Sequence, residues 1–99
     1  MQENIKKVEN IESNIGNWRK RLIFRSWHRG MKEMDLLLGK FSDQYVQSFT
    51  EKQLGAFEDV LSINDPDLYK MYLKQREPTE EQNSDVLTQF LGYTLPISK

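Results

Sequence analysis

The sequence of 99 residues is 37% hydrophobic and 29% charged, which allows one small core and too little apolar material for a second domain or a deep enzyme pocket. It contains no cysteine, so neither a disulfide nor a cysteine-based zinc site can form, and a reducing cytoplasm fits this composition. No apolar run approaches the roughly 20 residues of a membrane-spanning helix, and the N-terminal stretch matches neither a secretory signal nor a transit peptide. We therefore expect a cytoplasmic protein that does not insert directly into a membrane.

The formal net charge of −1 hides two regions of opposite sign. Six Lys and Arg residues and no acid lie within residues 18–32, whereas residues 33–99 hold twelve acids against six Lys and Arg. Such asymmetry carries information about partners rather than about the fold. It predicts one basic face or end on an otherwise acidic protein.

In the N-terminal third of the chain, the sequence predicts a frayed extension followed by one helix. Residues 1–16 have apolar residues at helical spacing but form too short a segment to be stable alone, so we expect a frayed extension. Residues 17–28 predict the first helix of the domain, ending at Gly30. Its two arcs at 100° per residue are an apolar one, Ile23, Phe24 and Trp27, and a basic one, Arg21, Arg25, His28 and Arg29.

The second and third helices follow from apolar periodicity and capping residues. The second helix has an apolar stripe at three- and four-residue steps: Met31, Met34, Leu37, Leu38, Phe41 and Tyr45. Thr50 and Gln53 predict a capping box at the start of the third helix, and Phe49 and Leu54 occupy the positions of a hydrophobic staple. Its apolar face continues through Phe57, Val60 and Leu61.

The last two helices begin at Asp65 and Ser84. Asp65 is the predicted N-cap of the fourth helix, with Pro66 at its first position, and Pro78 should end it. Its predicted apolar side is Leu68, Tyr69, Tyr72 and Leu73. Residues 77–83 predict a linker, and Ser84 caps a short fifth helix, through Val86, Leu87, Phe90 and Leu91, that Gly92 ends. Because no strand-like alternation competes, the prediction is an all-α, compact five-helix bundle, a single domain over residues 17–92 with a tail over 93–99.

Charged residues crowd the connection between the first and second helices, which we call the junction (residues 25–35). A structural interpretation is that Gly30 takes a backbone conformation that other residues resist, while Glu33 lies near the positive end of the second helix. That interpretation explains Gly30. It explains less well why five charged residues gather there: Arg25, Arg29, Lys32, Glu33 and Asp35.

The junction strongly resembles the family of succinate dehydrogenase FAD assembly factors. The resemblance rests on an Arg-Gly-x-x-Glu signature, present as Arg29-Gly30-Met31-Lys32-Glu33, with the flanks Trp27-His28 and Asp35-Leu36-Leu37-Leu38-Gly39. The runs Asp65-Pro66-Asp67-Leu68-Tyr69 and Arg76-Glu77-Pro78 also match, so that the likeness covers roughly residues 18–91. The N-terminal extension departs from the pattern, because bacterial members often lack it.

The resemblance implies a non-enzymatic assembly factor of the bacterial cytoplasm. Such a factor binds the flavoprotein subunit of succinate dehydrogenase, with that of fumarate reductase as a further candidate, and promotes the covalent bond between FAD and a histidine of that subunit. It is expected to act as a monomer and to hold no cofactor stably, since FAD goes into the partner. The implied partner-binding residues are Arg25, Trp27, His28, Arg29, Gly30, Lys32, Glu33 and Asp35.

Three other interpretations stay open at this point. The basic helix of residues 18–32, with interleaved aromatic residues, could bind nucleic acid, although the acidic remainder of the chain would repel a polyanion. A metal site at His28 would need carboxylates from elsewhere in the fold. For an enzyme, the sequence offers no phosphate loop and no nucleophile beside a base, and Glu33 and Asp35 point to different helix faces. We therefore predict no catalytic residue and no metal.

Overall fold

The computed structural model describes the backbone of residues 2–96 and the side chains of residues 14–96. Within these residues the chain forms five α-helices and a short 3-10 helix, with no strand: α1 (Gln2–Ser26), α2 (Lys32–Tyr45), the 3-10 helix (Val46–Ser48), α3 (Glu51–Leu61), α4 (Asp65–Tyr72) and α5 (Asp85–Leu91). The predicted all-α, five-helix, single-domain bundle is confirmed.

The core is built around an aromatic cluster centred on Phe41 of α2. Its ring centroid lies 5.7 Å from that of Phe57 in α3 and 5.4 Å from that of Phe90 in α5. Tyr93, just beyond α5, meets the same ring edge-on at 5.4 Å. Aromatic pairs at such separations add to the free energy gained from burial alone, so one residue of α2 joins three parts of the chain.

The ends of α1 differ from the prediction. The helix begins at Gln2 and ends at Ser26, whereas the sequence predicted a helix over residues 17–28. The fraying predicted for residues 1–16 falls largely on side chains outside the described residues, and the predicted tail over 93–99 extends beyond them. The limits of the domain therefore stay a prediction.

The buried stripe of α1 is also not the predicted one. Leu22 and Ser26 are buried one turn apart, and the Ser26 hydroxyl donates to the Leu22 carbonyl oxygen (2.7 Å). Ile23 and Trp27 are half-buried at the edges of this stripe. Phe24 is 61% exposed, so the predicted apolar arc of Ile23, Phe24 and Trp27 is not the buried side of the helix. A stripe centred on positions 22 and 26 turns position 24 towards solvent at 100° per residue.

Arg19 ties α1 to the segment that follows α2. Its Nη1 donates to the carbonyl oxygens of Val46 and Phe49, each at 2.9 Å. Val46 begins the 3-10 helix and its carbonyl oxygen also accepts the Phe49 amide at 3.1 Å, so both carbonyls lie around the turn that leads into α3. A charged donor satisfies them and fixes α1 against this turn.

Two predicted helix starts are confirmed. The Thr50 hydroxyl accepts from the Gln53 amide (3.2 Å) and the Gln53 side chain accepts from the Thr50 amide (2.8 Å), which completes the capping box of α3. Ser84 caps α5 by accepting from the Leu87 amide at 3.0 Å. Gly92 is the C-cap of α5, as predicted.

The predicted N-cap of α4 is wrong by one residue, and its predicted end is wrong by several. Asn64, not Asp65, is the N-cap, and its side chain accepts from the Asp67 amide at 2.9 Å. The helix ends at Tyr72, well before Pro78, because Lys74 adopts a left-handed conformation (φ 64°) that closes the helix. Leu73 is therefore 43% exposed and does not belong to the apolar side.

Gly39 allows Trp27 to lie directly on α2. A Cβ atom at position 39 would fall 2.3 Å from Trp27 Cδ2, far inside van der Waals contact. The indole Nε1 donates to Asp43 Oδ1 at 3.1 Å, one turn further along α2. The ring thus fastens the end of α1 to the middle of α2, and only glycine leaves room for it.

Alanine substitutions at two glycines should have opposite effects. Gly39→Ala should lower the free energy of unfolding by about 1–3 kcal/mol, because the Trp27 ring must leave its place. Gly55 also lies inside a helix, but a Cβ atom there would have no neighbour within 4 Å, so Gly55→Ala should raise it by about 0.5–1 kcal/mol. Urea unfolding of both variants measures the difference, and equal effects would contradict the packing role of Gly39.

Candidate functional site

The junction is held in place by a buried ion pair between Arg29 and Asp65. Arg29 Nη2 and Nε lie 2.7 and 2.8 Å from Asp65 Oδ1, and the two side chains are only 10% and 9% exposed. The guanidinium also donates to the carbonyl oxygens of Leu61 (2.9 Å) and Ile63 (3.0 Å), at the end of α3 and just after it. One arginine therefore joins the junction to the connection between α3 and α4.

Carboxylates also accept the backbone amides of the junction. Asp65 Oδ2 accepts from the amides of Gly30 (2.8 Å) and Met31 (3.0 Å). Asp35, in the first turn of α2, accepts from the Arg29 amide. Three consecutive N–H groups between two helices are thereby satisfied without regular secondary structure, which makes the connection a defined shape rather than a loose loop.

Gly30 does not have the backbone conformation that the sequence predicted. No glycine of the described chain has a positive φ, so the expectation of a conformation that other residues resist is wrong. A Cβ atom at position 30 would lie 3.6 Å from Asp65 Oδ2, an ordinary contact. Gly30 is exposed, and what glycine provides here is bare backbone at the surface beside the buried ion pair.

Lys32 and Glu33 form the outer side of the junction. Both are exposed in the first turn of α2, where Glu33 was predicted. Neither forms an ion pair with any side chain of residues 14–96. Leu36, one turn further along, is 43% exposed. The outer side thus combines charges of both signs with an apolar side chain.

The remaining predicted site residues lie on the α1 side of the junction. Trp27 is half-buried against Gly39. His28 is exposed, its Nδ1–H donates to the Phe24 carbonyl oxygen at 2.7 Å, and its ring stacks on the Phe24 ring with centroids 3.8 Å apart. Arg25 lies 3.6 Å from the Glu58 carboxylate of α3.

The eight predicted site residues therefore divide into three groups. Arg29 and Asp35 bind other parts of this chain, while His28, Gly30, Lys32 and Glu33 face solvent; Arg25 and Trp27 lie between these extremes. Sequence reasoning missed the role of Asp65, which it assigned to helix capping. The signal was present in Asn64, a better-placed cap that leaves the next carboxylate free for another partner.

The chemistry available at the junction is recognition by charge and shape. Among residues 14–96, no three His, Asp or Glu side chains come close enough together to hold a metal ion. Charged groups presented on a backbone held by hydrogen bonds favour binding of a complementary surface, because the backbone loses little conformational freedom on association. In the described part of the chain, no helix combines the length and the apolar character needed to cross a membrane.

Comparison with known proteins shows which family the sequence matches. Residues 20–94 match the model of a family described as "Flavinator of succinate dehydrogenase". The mitochondrial succinate dehydrogenase assembly factor 2 of Dictyostelium discoideum is 41% identical over 81 residues, 82% of this chain and 57% of that protein. The protein of the same name from Arabidopsis thaliana is 35% identical over 89 residues, 84% of this chain and 47% of that protein. FAD assembly factor SdhE of Legionella pneumophila (strain Paris) is 47% identical over 53 residues, 54% of this chain and 67% of that protein.

The chain spans about half the length of the two mitochondrial relatives. The family match includes the whole junction and Asp65. None of the relatives named above is described as a nucleic-acid-binding protein, so they give no support to that use of residues 18–32. Since the match covers well over half of the sequence, the resemblance seen in the signature is confirmed, and the chain belongs to the family of flavinators of succinate dehydrogenase.

Proposed function

We propose that this protein binds the flavoprotein subunit of succinate dehydrogenase and promotes the covalent attachment of FAD to that subunit. Two observations support the proposal: the names of its relatives, and a junction whose shape is fixed from behind by the pair of Arg29 and Asp65. The names suggest the partner and the reaction, and the junction suggests the surface that would bind. A surface with unpaired charges in front and a buried ion pair behind is suited to docking.

The proposed contribution to the reaction is orientation. The bond forms between the flavin and a histidine of the partner, and holding two reacting groups in the right geometry can accelerate their reaction strongly. In this proposal the assembly factor supplies no acid, base or nucleophile and retains no FAD. For this role the assembly factor needs only a binding surface that keeps its shape while the partner's flavin and histidine come together.

Each exposed group of the junction has a proposed contact. Glu33 pairs with a cation of the partner and Lys32 with a carboxylate, as charge-assisted hydrogen bonds. Gly30 lets the partner's backbone approach closely, because no side chain covers that point. Arg29 and Asp35 act from behind, by holding the amides and the loop in place.

Trp27, His28 and Arg25 extend the proposed surface along the end of α1. We propose that the factor works as a monomer in the bacterial cytoplasm, and that the flavoprotein subunit of fumarate reductase is a second partner.

The proposal is tested by binding to the purified flavoprotein subunit before FAD is attached. We expect a complex of one chain with one subunit, seen as a single species by size-exclusion chromatography with light scattering, and a monomer in the absence of the partner. A chain that stays separate from the apo subunit at concentrations of tens of micromolar would contradict the proposal.

A further inference from the structure

Phe24 lies on the solvent side of α1 and forms part of an apolar surface depression. It is 61% exposed, and single exposed apolar residues are common. This one, however, lines an apolar surface depression with Lys20, Arg21 and Arg25. We call these four residues the Phe24 patch.

The rim of the Phe24 patch is entirely basic. Residues 18–32 contain no acid, and neither Lys20 nor Arg21 forms an ion pair with a side chain of residues 14–96. Arg25 reaches Glu58 at 3.6 Å on the side facing α3, and both side chains remain partly exposed. An apolar centre with unpaired guanidinium and ammonium groups around it is complementary to an apolar side chain flanked by carboxylates.

The patch is continuous with the junction. The His28 ring stacks on Phe24 at 3.8 Å, and the His28 Nδ1–H donates to the Phe24 carbonyl oxygen. The exposed imidazole thus lies between the Phe24 ring and the backbone that leads to Gly30. A partner docked on the junction reaches the patch without leaving a continuous surface.

We infer that the Phe24 patch is a second contact region for the flavoprotein subunit, and that it takes a segment with an apolar side chain between acidic residues. This inference rests on the proposed function. Aromatic and arginine residues carry much of the binding energy where they lie at the centre of interfaces, and the patch presents an exposed Phe24 beside Arg21, which forms no ion pair with a side chain of residues 14–96. The acidic composition of residues 33–99 disfavours a polyanion such as nucleic acid as the occupant.

The inference is tested by measuring the affinity of variants for the purified apo flavoprotein subunit by calorimetric titration. Phe24→Ala should weaken binding about tenfold or more. Its matched control is Leu73→Ala, since Leu73 is another exposed large apolar residue, on the far end of α4. Arg21→Gln should weaken binding about threefold to tenfold, with a shallower dependence on salt, and its control is Lys70→Gln on α4. Both controls should bind within about twofold of the wild type.

The possible results distinguish a failure of the inference about the Phe24 patch from a failure of the proposed function. If the wild type binds the apo subunit, and Phe24→Ala and Arg21→Gln bind it equally well, the Phe24 patch is not a contact region, whereas the proposed function stands. If the wild type does not bind the apo subunit, both fail. If the two substitutions instead abolish binding to an unspecific oligonucleotide, or self-association, while leaving affinity for the subunit unchanged, the assigned occupant is wrong. A thermal melt of each variant confirms that the fold is intact.

Discussion

Asp65→Ala is expected to lower the free energy of unfolding by about 3–5 kcal/mol, the usual cost of removing one partner of a buried ion pair. The Arg29 side chain, only 10% exposed in the folded chain, would lose its counter-charge. The amides of Gly30 and Met31 would lose their acceptor at the same time. The measurement is urea unfolding followed by circular dichroism.

An exposed ion pair of the same fold provides the control. Arg76 Nη1 lies 2.8 Å from Asp67 Oδ1, but the side chains are about a third exposed or more. Arg76→Ala should therefore cost no more than about 1 kcal/mol. Equal losses for Asp65→Ala and Arg76→Ala would show that burial of the Arg29 pair does not matter for stability.

Glu33→Gln is expected to weaken binding to the flavoprotein subunit by about 2 kcal/mol or more while leaving the fold intact. The carboxylate lies in the first turn of α2 and pairs with no side chain among residues 14–96. Its loss therefore costs the fold only a helix-dipole contribution of about 0.3–1 kcal/mol. Calorimetric titration and a thermal melt measure the two effects separately.

Asp85→Asn is the matched control for Glu33→Gln. Asp85 is likewise an exposed acid in the first turn of a helix, at the start of α5. It loses the same kind of dipole interaction and lies outside the junction. If both variants bind the subunit as the wild type does, Glu33 has no role in recognition.

Local features of the fold could be predicted from the sequence because their partners lie within a few residues. The Thr50 and Gln53 box and the Ser84 cap depend on bonds between residues three apart. The stripe of α2 follows from its period, and Phe41 is buried as predicted. Such features need no knowledge of the tertiary structure.

Features that depend on distant contacts could not be predicted in this way. Arg29 and Asp65 are 36 residues apart, and only the packing of α3 and α4 brings the carboxylate beneath the junction. The need for Gly39 follows from where the Trp27 ring lies, which no local rule gives. The helical period groups Phe24 with Ile23 and Trp27 in one apolar arc, whereas contacts with the other helices bury the side of α1 that carries Leu22.

At the candidate site, too, local features could be predicted from the sequence and tertiary contacts could not. The sequence placed Glu33 correctly in the first turn of α2, where its carboxylate faces solvent. The sequence could not show that Asp35, two residues away, has a different role. The Asp35 carboxylate accepts a hydrogen bond from the Arg29 amide and so helps to hold the loop in place. Charge and spacing locate the junction, but only the fold separates groups that face outward from groups that hold it together.

The most direct test of the proposed function is formation of the covalent flavin bond itself. The flavoprotein subunit would be incubated with FAD alone, with the wild-type chain, and with the Glu33→Gln and Asp85→Asn variants, and covalent flavin would be followed over time by in-gel fluorescence after denaturation. We expect the wild type and Asp85→Asn to accelerate the appearance of fluorescence strongly, and Glu33→Gln to do so far less at equal thermal stability. A time course that is the same with and without the chain would contradict the account.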